Sequence, residues 1–113
     1  MDQDLIYPII PLDRYLAHAA MESFPPALGL IIPEILTEEA LEEIAIIKEL
    51  TTPIPLIALI SLPISPAFLL SLACFGIERI RLEGVSLLAL QEIRSHIDEH
   101  RLGMVLITSS SSQ

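Results

Sequence analysis

The sequence has no tryptophan, only 4% aromatic residues and a single cysteine, Cys74. One cysteine rules out an internal disulfide and any zinc site built on several thiolates, and it is compatible with a reducing compartment. So few aromatics leave burial to Ile, Leu, Val and Ala, which at 52% hydrophobic content is the usual filling of parallel sheets covered by helices. Cations are scarce as well: six Lys and Arg stand against fifteen Asp and Glu, for a formal charge of −9. Without a basic stripe interleaved with aromatics, nucleic acid and anionic membrane surfaces are disfavoured as partners. The opening residues, MDQDLIYPII, carry acids where a secretory signal would carry Lys or Arg, so a cytoplasmic location is expected.

What the chain does have is a long uncharged stretch. From Leu50 to Ile77 there is no charged residue, and that length would suffice for a membrane helix of about 20 residues. Four prolines, Pro53, Pro55, Pro63 and Pro66, argue against it, because each removes a donor and frees a carbonyl that hydrocarbon cannot satisfy. The same prolines fit a soluble element sequence: a lead-in to the strand LIALI, a loop LPISP, and a helix capped by Ser65, opened by Pro66 and closed by Gly76 in the left-handed conformation.

That grammar extends along the chain. DLIYPII reads as a first strand that Pro8 confines to a sheet edge or strand end. Pro11 to Phe24 reads as a helix with Leu16, Ala19, Ala20 and Phe24 on one side. ALGLII is a second strand stopped by Pro33. Thr37 caps a helix with Glu38 and Glu39 in its first turn, Leu41, Ile44, Ala45 and Ile47 inward, and Glu42, Glu43 and Glu49 in water. IERIRL is a strand nearer an edge. Ser86 opens a helix with Leu87, Leu90, Ile93 and Ile97 inward, and MVLIT is a last strand before the Ser-rich tail, SSSSQ.

A chain of 113 residues makes one core. The expectation is a single α/β domain over residues 1–108 with a flexible tail at 109–113. Alternating strands and helices imply a three-layer, flavodoxin-like domain, with a mostly parallel five-stranded sheet and helices on both faces. Such sheets bind ligands beyond the carboxyl ends of their strands, which singles out Pro33, Glu34, Ser61, Glu83, Gly84 and Thr108 to Ser110.

From Pro25 to His100, PPALGLIIPEIL, TPIPLIALIS and ACFGIERIRLEGVSLLALQEI resemble the third strand, fourth strand and closing strand-helix of a response-regulator receiver domain. The resemblance implies a phospho-accepting aspartate at the end of the third strand, where this chain has Pro33. It implies a lysine and proline after the fifth, where this chain has Glu83 and Gly84. Neither the nucleophile nor the acids and cation that phosphoryl transfer needs are in place, so a degenerate receiver is implied, with no catalytic residues and no cofactor. If Pro11 to Phe24 is the family's first helix, its second strand and helix are missing, and if it is the second helix, the first strand is missing. The extra MVLIT strand is a candidate to fill the vacant sheet position. GIERIRLEGVSLLALQEI followed by GMVLITSSS is also similar to a segment of radical S-adenosylmethionine enzymes, but Cys74 alone cannot hold their iron-sulfur cluster.

The remaining constellations are sparse. Glu92, His96 and His100 fall at i, i+4 and i+8, a spacing that places two imidazoles one turn apart, although histidines at a helix C-terminus are favoured by the dipole alone, and no metal site is expected. His18 and Glu22 read as a surface pair. Cys74 lies among apolar neighbours, where a thiol is a small hydrophobe. The helix from Pro66 to Phe75 is apolar nearly all round, so one side calls for a covering partner.

The expected role is a non-catalytic interaction or signalling module that self-associates or binds a protein partner. The expected contacts are Phe68, Leu69, Leu72 and Phe75, with Arg79 and Arg81 as rim charges. The alternatives are a small-molecule- or metal-binding domain, or minor enzyme, using Glu34, Ser61 and Glu83 at the strand ends, and a rebuilt sequence without evolved activity.

Overall fold

The computed structural model describes residues 7–60, 65–82 and 86–108. Its elements alternate as β1 (Ile9–Pro11), α1 (Arg14–Met21), β2 (Leu28–Ile31), α2 (Glu38–Thr51), β3 (Leu56–Ile60), α3 (Pro66–Cys74), β4 (Arg79–Leu82), α4 (Leu87–Glu99) and β5 (Val105–Thr108). All five strands form one parallel sheet, giving the expected α/β fold with four helices. No helix among the described residues is long and apolar enough to cross a membrane. The uncharged stretch is instead divided among the end of α2, all of β3 and the nine residues of α3.

The caps are local and chemical. Thr37, Ser65 and Ser86 each accept a bond from the amide three residues on, at 3.1 Å, and Pro66 occupies the first turn of α3. Gly76 has φ +94° and completes a Schellman motif: its amide donates to Ala73 O, and the Ile77 amide to Leu72 O. Ile77 and Leu72, brought together by that turn, are both buried. Helix α4 ends in the same way, with Arg101 in the left-handed position at φ +52° and the Leu102 amide donating to Ile97 O.

The first helix is shorter than its apolar pattern suggests. Asp13 Oδ1 accepts from the amides of Tyr15 and Leu16, so the helix begins after it, and Pro11 belongs to β1. It stops at Met21, and Phe24 lies beyond it, 89% exposed at φ +52°. The buried face is carried by Ala17, with Ala20 beside it, and Ala19 and Leu16 are exposed. In α4, Leu87 is exposed while Leu90, Ile93 and Ile97 face the core.

Strand order is the finer point. The sheet runs β1-β2-β3-β4-β5, in chain order, where a flavodoxin-like sheet reverses direction once, as 2-1-3-4-5. Right-handed crossovers that always step the same way leave every helix on the same face. Burial agrees: Ile10, Leu30, Ala58, Ile80 and Leu106 lie in one cross-strand row, and all belong to or pack against a single core cluster. Ala17 of α1, Ile44 and Ile47 of α2, Leu69 and Leu72 of α3, and Ile93 and Ile97 of α4 join that same cluster. The expected helices on both faces are therefore replaced by two layers, one sheet and one sheet of helices. The Cα extents of 38 × 37 × 21 Å fit, since a sheet and one helix layer each take about 10 Å.

The MVLIT segment is paired, through β5 against β4, on the edge away from β1. It lengthens the sheet at that edge and leaves the position beside β1 as it was.

Candidate functional site

The helix-free face is made by the alternate residues of each strand. Ile9, Gly29, Ile57, Arg79 and Val105 form one row, and Pro11, Ile31, Leu59, Arg81 and Ile107 the next. Ile9, Ile31 and Val105 are 46%, 51% and 56% exposed, whereas Ile57 in the central strand is buried, so this face is wet toward its two edges. At its centre Gly29 makes room for Tyr7. A Cβ at Gly29 would lie 3.0 Å from Tyr7 Cε2 and 3.1 Å from both Ile9 Cγ1 and Leu59 Cδ1. Tyr7 lies over that gap, and its Oη accepts from Arg81 Nη1 at 2.7 Å, tying the region before β1 to β4.

At the carboxyl ends of β1 and β2 is a cleft of about 460 Å³, lined by Pro11, Leu12, Ile31 and Pro33 and by Glu39, Ala40 and Glu43 of α2. It lies where parallel sheets place ligands. Glu43, expected in water, is a wall of it. The Arg14 backbone N–H donates to Glu43 Oε2 at 2.7 Å, Nη2 donates to Oε1 at 2.7 Å, and Nε lies 3.2 Å from both oxygens. The side-chain hydrogen bond from Arg14 holds the Glu43 carboxyl below its ordinary value, against the opposing effect of burial, and raises the Arg14 guanidinium in turn.

The residues singled out from sequence are scattered by the fold. Leu69 and Leu72 are fully buried in the protein's own core, because α3 turns its 69/72 side to the sheet, and they cannot be contact residues. Phe68 and Phe75 are half-buried against the same core. Arg79 and Arg81 belong to the opposite face of the sheet, so they do not rim α3. The exposed side of α3 carries Leu70 and Cys74 instead. Among the strand-end residues, Glu34 is exposed in the loop after β2, and Pro33 lines the cleft without it. Ser61, Glu83, Gly84 and the tail at 109–113 lie outside the described residues.

At the far end of the molecule, α4 brings His96, Glu99 and His100 together, with donor atoms all within 4.8 Å of one another. Glu92 is two turns from His100, about 12 Å along the axis, and cannot share one ion with it. The i, i+3, i+4 spacing of His96, Glu99 and His100 is readable in the sequence, beside the more regular i+4 series that includes Glu92.

None of the protein-family models searched matches the chain, and none of the curated proteins matches it. The class defined by fold and surface is an α/β domain with one helix layer and a second sheet face that no helix covers among the described residues.

Proposed function

We propose that the chain is a non-catalytic interaction module that self-associates through the helix-free face of its sheet. The supporting observation is the exposure of Ile9, Ile31 and Val105 on a face that none of the four helices covers. Apolar surface left open in this way marks contact sites on soluble domains. A second copy suits the face geometrically. A two-fold axis along β3 stacks the β5 of one copy over the β1 of the other and keeps the two Arg79–Arg81 pairs on opposite sides of the axis.

Size sets the strength. Five strands of three to five residues, about 4.8 Å apart with about 3.3 Å per residue, offer roughly 300 Å² per copy. A standard stable interface takes about 800 Å² per partner, so the association is weak and concentration dependent.

The test is sedimentation velocity without detergent, from micromolar to millimolar protein, on the parent and on Ile31→Glu plus Val105→Glu. Both side chains are exposed, so the variant keeps its core. A parent dimer at high concentration that the variant abolishes supports the proposal. A parent that stays monomeric throughout, or a variant that dimerises equally, overturns it.

A second reading rests on the apolar cleft at the ends of β1 and β2. A small apolar ligand would enter between Pro11, Leu12, Ile31 and Pro33 and meet the Glu39 and Glu43 carboxylates. Fragment titration followed by NMR decides it: shifts clustered at Leu12, Ile31 and Ala40 support the cleft, and their absence across a diverse apolar set disposes of it.

A further inference from the structure

We infer that the last turn of α4 is a binding site for a divalent transition-metal ion, held by His96, Glu99 and His100. The three residues stand at i, i+3 and i+4, within about 100° of arc on one helix, so their side chains converge over a single turn. Their donor atoms already lie within 4.8 Å of one another, and the two imidazole rings are stacked with centroids 6.3 Å apart and 20° between planes. Tetrahedral coordination with bonds of about 2.0–2.1 Å needs donors roughly 3.3 Å apart. Glu99 and His100 are exposed, so rotation of their side chains closes the difference without moving the helix.

An independent observation points the same way. His96 Nδ1 is buried and has no hydrogen-bond partner. An unpaired buried nitrogen is costly, and an ion held by the ring, or an acceptor recruited when its other nitrogen coordinates, offsets that cost. The position adds to the attraction, because a helix C-terminus carries partial negative charge and the chain as a whole is strongly acidic.

The donor set selects the ion class. Two imidazoles and one carboxylate suit Zn²⁺, Ni²⁺, Co²⁺ or Cu²⁺, whereas Mg²⁺ and Ca²⁺ prefer oxygen alone. Three protein ligands leave a coordination position for water. Bound there, the ion ties together Glu99, the C-cap His100 and the body of α4, just before Arg101 turns the chain toward β5.

The test is Zn²⁺ titration of the full chain by calorimetry, with Co²⁺ absorption and the imidazole ¹⁵N shifts as structural readouts. The expected result is one Zn²⁺ per chain, with displaced ¹⁵N resonances at His96 and His100. Removing a ligand by His100→Ala should weaken affinity at least about tenfold, as loss of even a supporting group does in metal sites. His100 is exposed, so this variant folds whatever the half-buried His96→Ala does. Glu99→Gln should weaken binding, while Glu92→Gln and His18→Ala should leave it unchanged. Equal affinity in parent and His100→Ala, or a loss on Glu92→Gln with none on Glu99→Gln, overturns the site.

Discussion

Arg14 grips Glu43 from two directions, with its own backbone amide on one carboxylate oxygen and its guanidinium fork across both. The contact joins the first turn of α1 to the middle of α2 and closes one wall of the strand-end cleft. Its pH dependence has a definite sign. The folded carboxyl titrates below the ordinary 4.5, so the stabilisation is complete above that value and is lost as pH falls through the lower folded one. In thermal melts, the difference in Tm between the parent and Glu43→Gln should be constant near neutrality and shrink as pH drops below 4.5. A gap that stays the same down to pH about 2 would show that the pair contributes nothing.

Gly29→Ala should destabilise the fold. The new methyl meets Tyr7, Ile9 and Leu59 at 3.0–3.1 Å, and the Tyr7 ring cannot withdraw freely while Arg81 holds its hydroxyl. Overpacking of this kind costs about 1–3 kcal/mol. Denaturant melts should show that loss, with part of it recovered in Gly29→Ala plus Tyr7→Ala. Equal stability of parent and single variant would mean that the face yields more readily than its spacing suggests.

Arg101→Gly should stabilise. Arg101 sits at φ +52°, where a side chain clashes with its own backbone and glycine does not. Relief of about 1 kcal/mol is expected. A drop in denaturation midpoint would instead assign the Arg101 side chain a favourable contact larger than the strain.

Leu72→Ala and Leu70→Ala separate core from surface within a single helix. Leu72 is fully buried and should cost about 2–5 kcal/mol, whereas Leu70, 51% exposed, should cost under about 1 kcal/mol. Similar losses at both positions would contradict the orientation of α3.

Much of the fold was legible because it is written in local chemistry. Ser65, Thr37 and Ser86 read as caps and are caps. Gly76 reads as a left-handed stop and is one. The LIALI run reads as a strand and is one, β3. The side on which helices lie was harder, since it depends on strand order, and no short segment encodes that. Only β4 hinted at it: Arg79 and Arg81 alternate with Ile80 and Leu82, as they would on a sheet with one open face. In β3 the signal is erased because Ile57, on the open face, is itself buried. An all-round apolar helix such as α3 does not reveal which of its sides turns inward, which is why Leu69 and Leu72 read as contacts although they are core. The Tyr7–Arg81 bond spans 74 residues, and the Arg14–Glu43 grip spans 29, so neither leaves a local mark.

The sequential order of the strands also governs how the molecule would respond to being cut. Each strand-helix unit leans on the units before and after it, as in a stacked array, and the outermost strands stand about 19 Å apart, at four spacings of about 4.8 Å. Deleting β5 therefore removes one end of a row and makes β4 the new margin, leaving the pairing of β1, β2 and β3 intact. A circular permutant faces the opposite situation: joining the ends requires a linker that crosses the whole width of the sheet, and the natural place for it is the open apolar face.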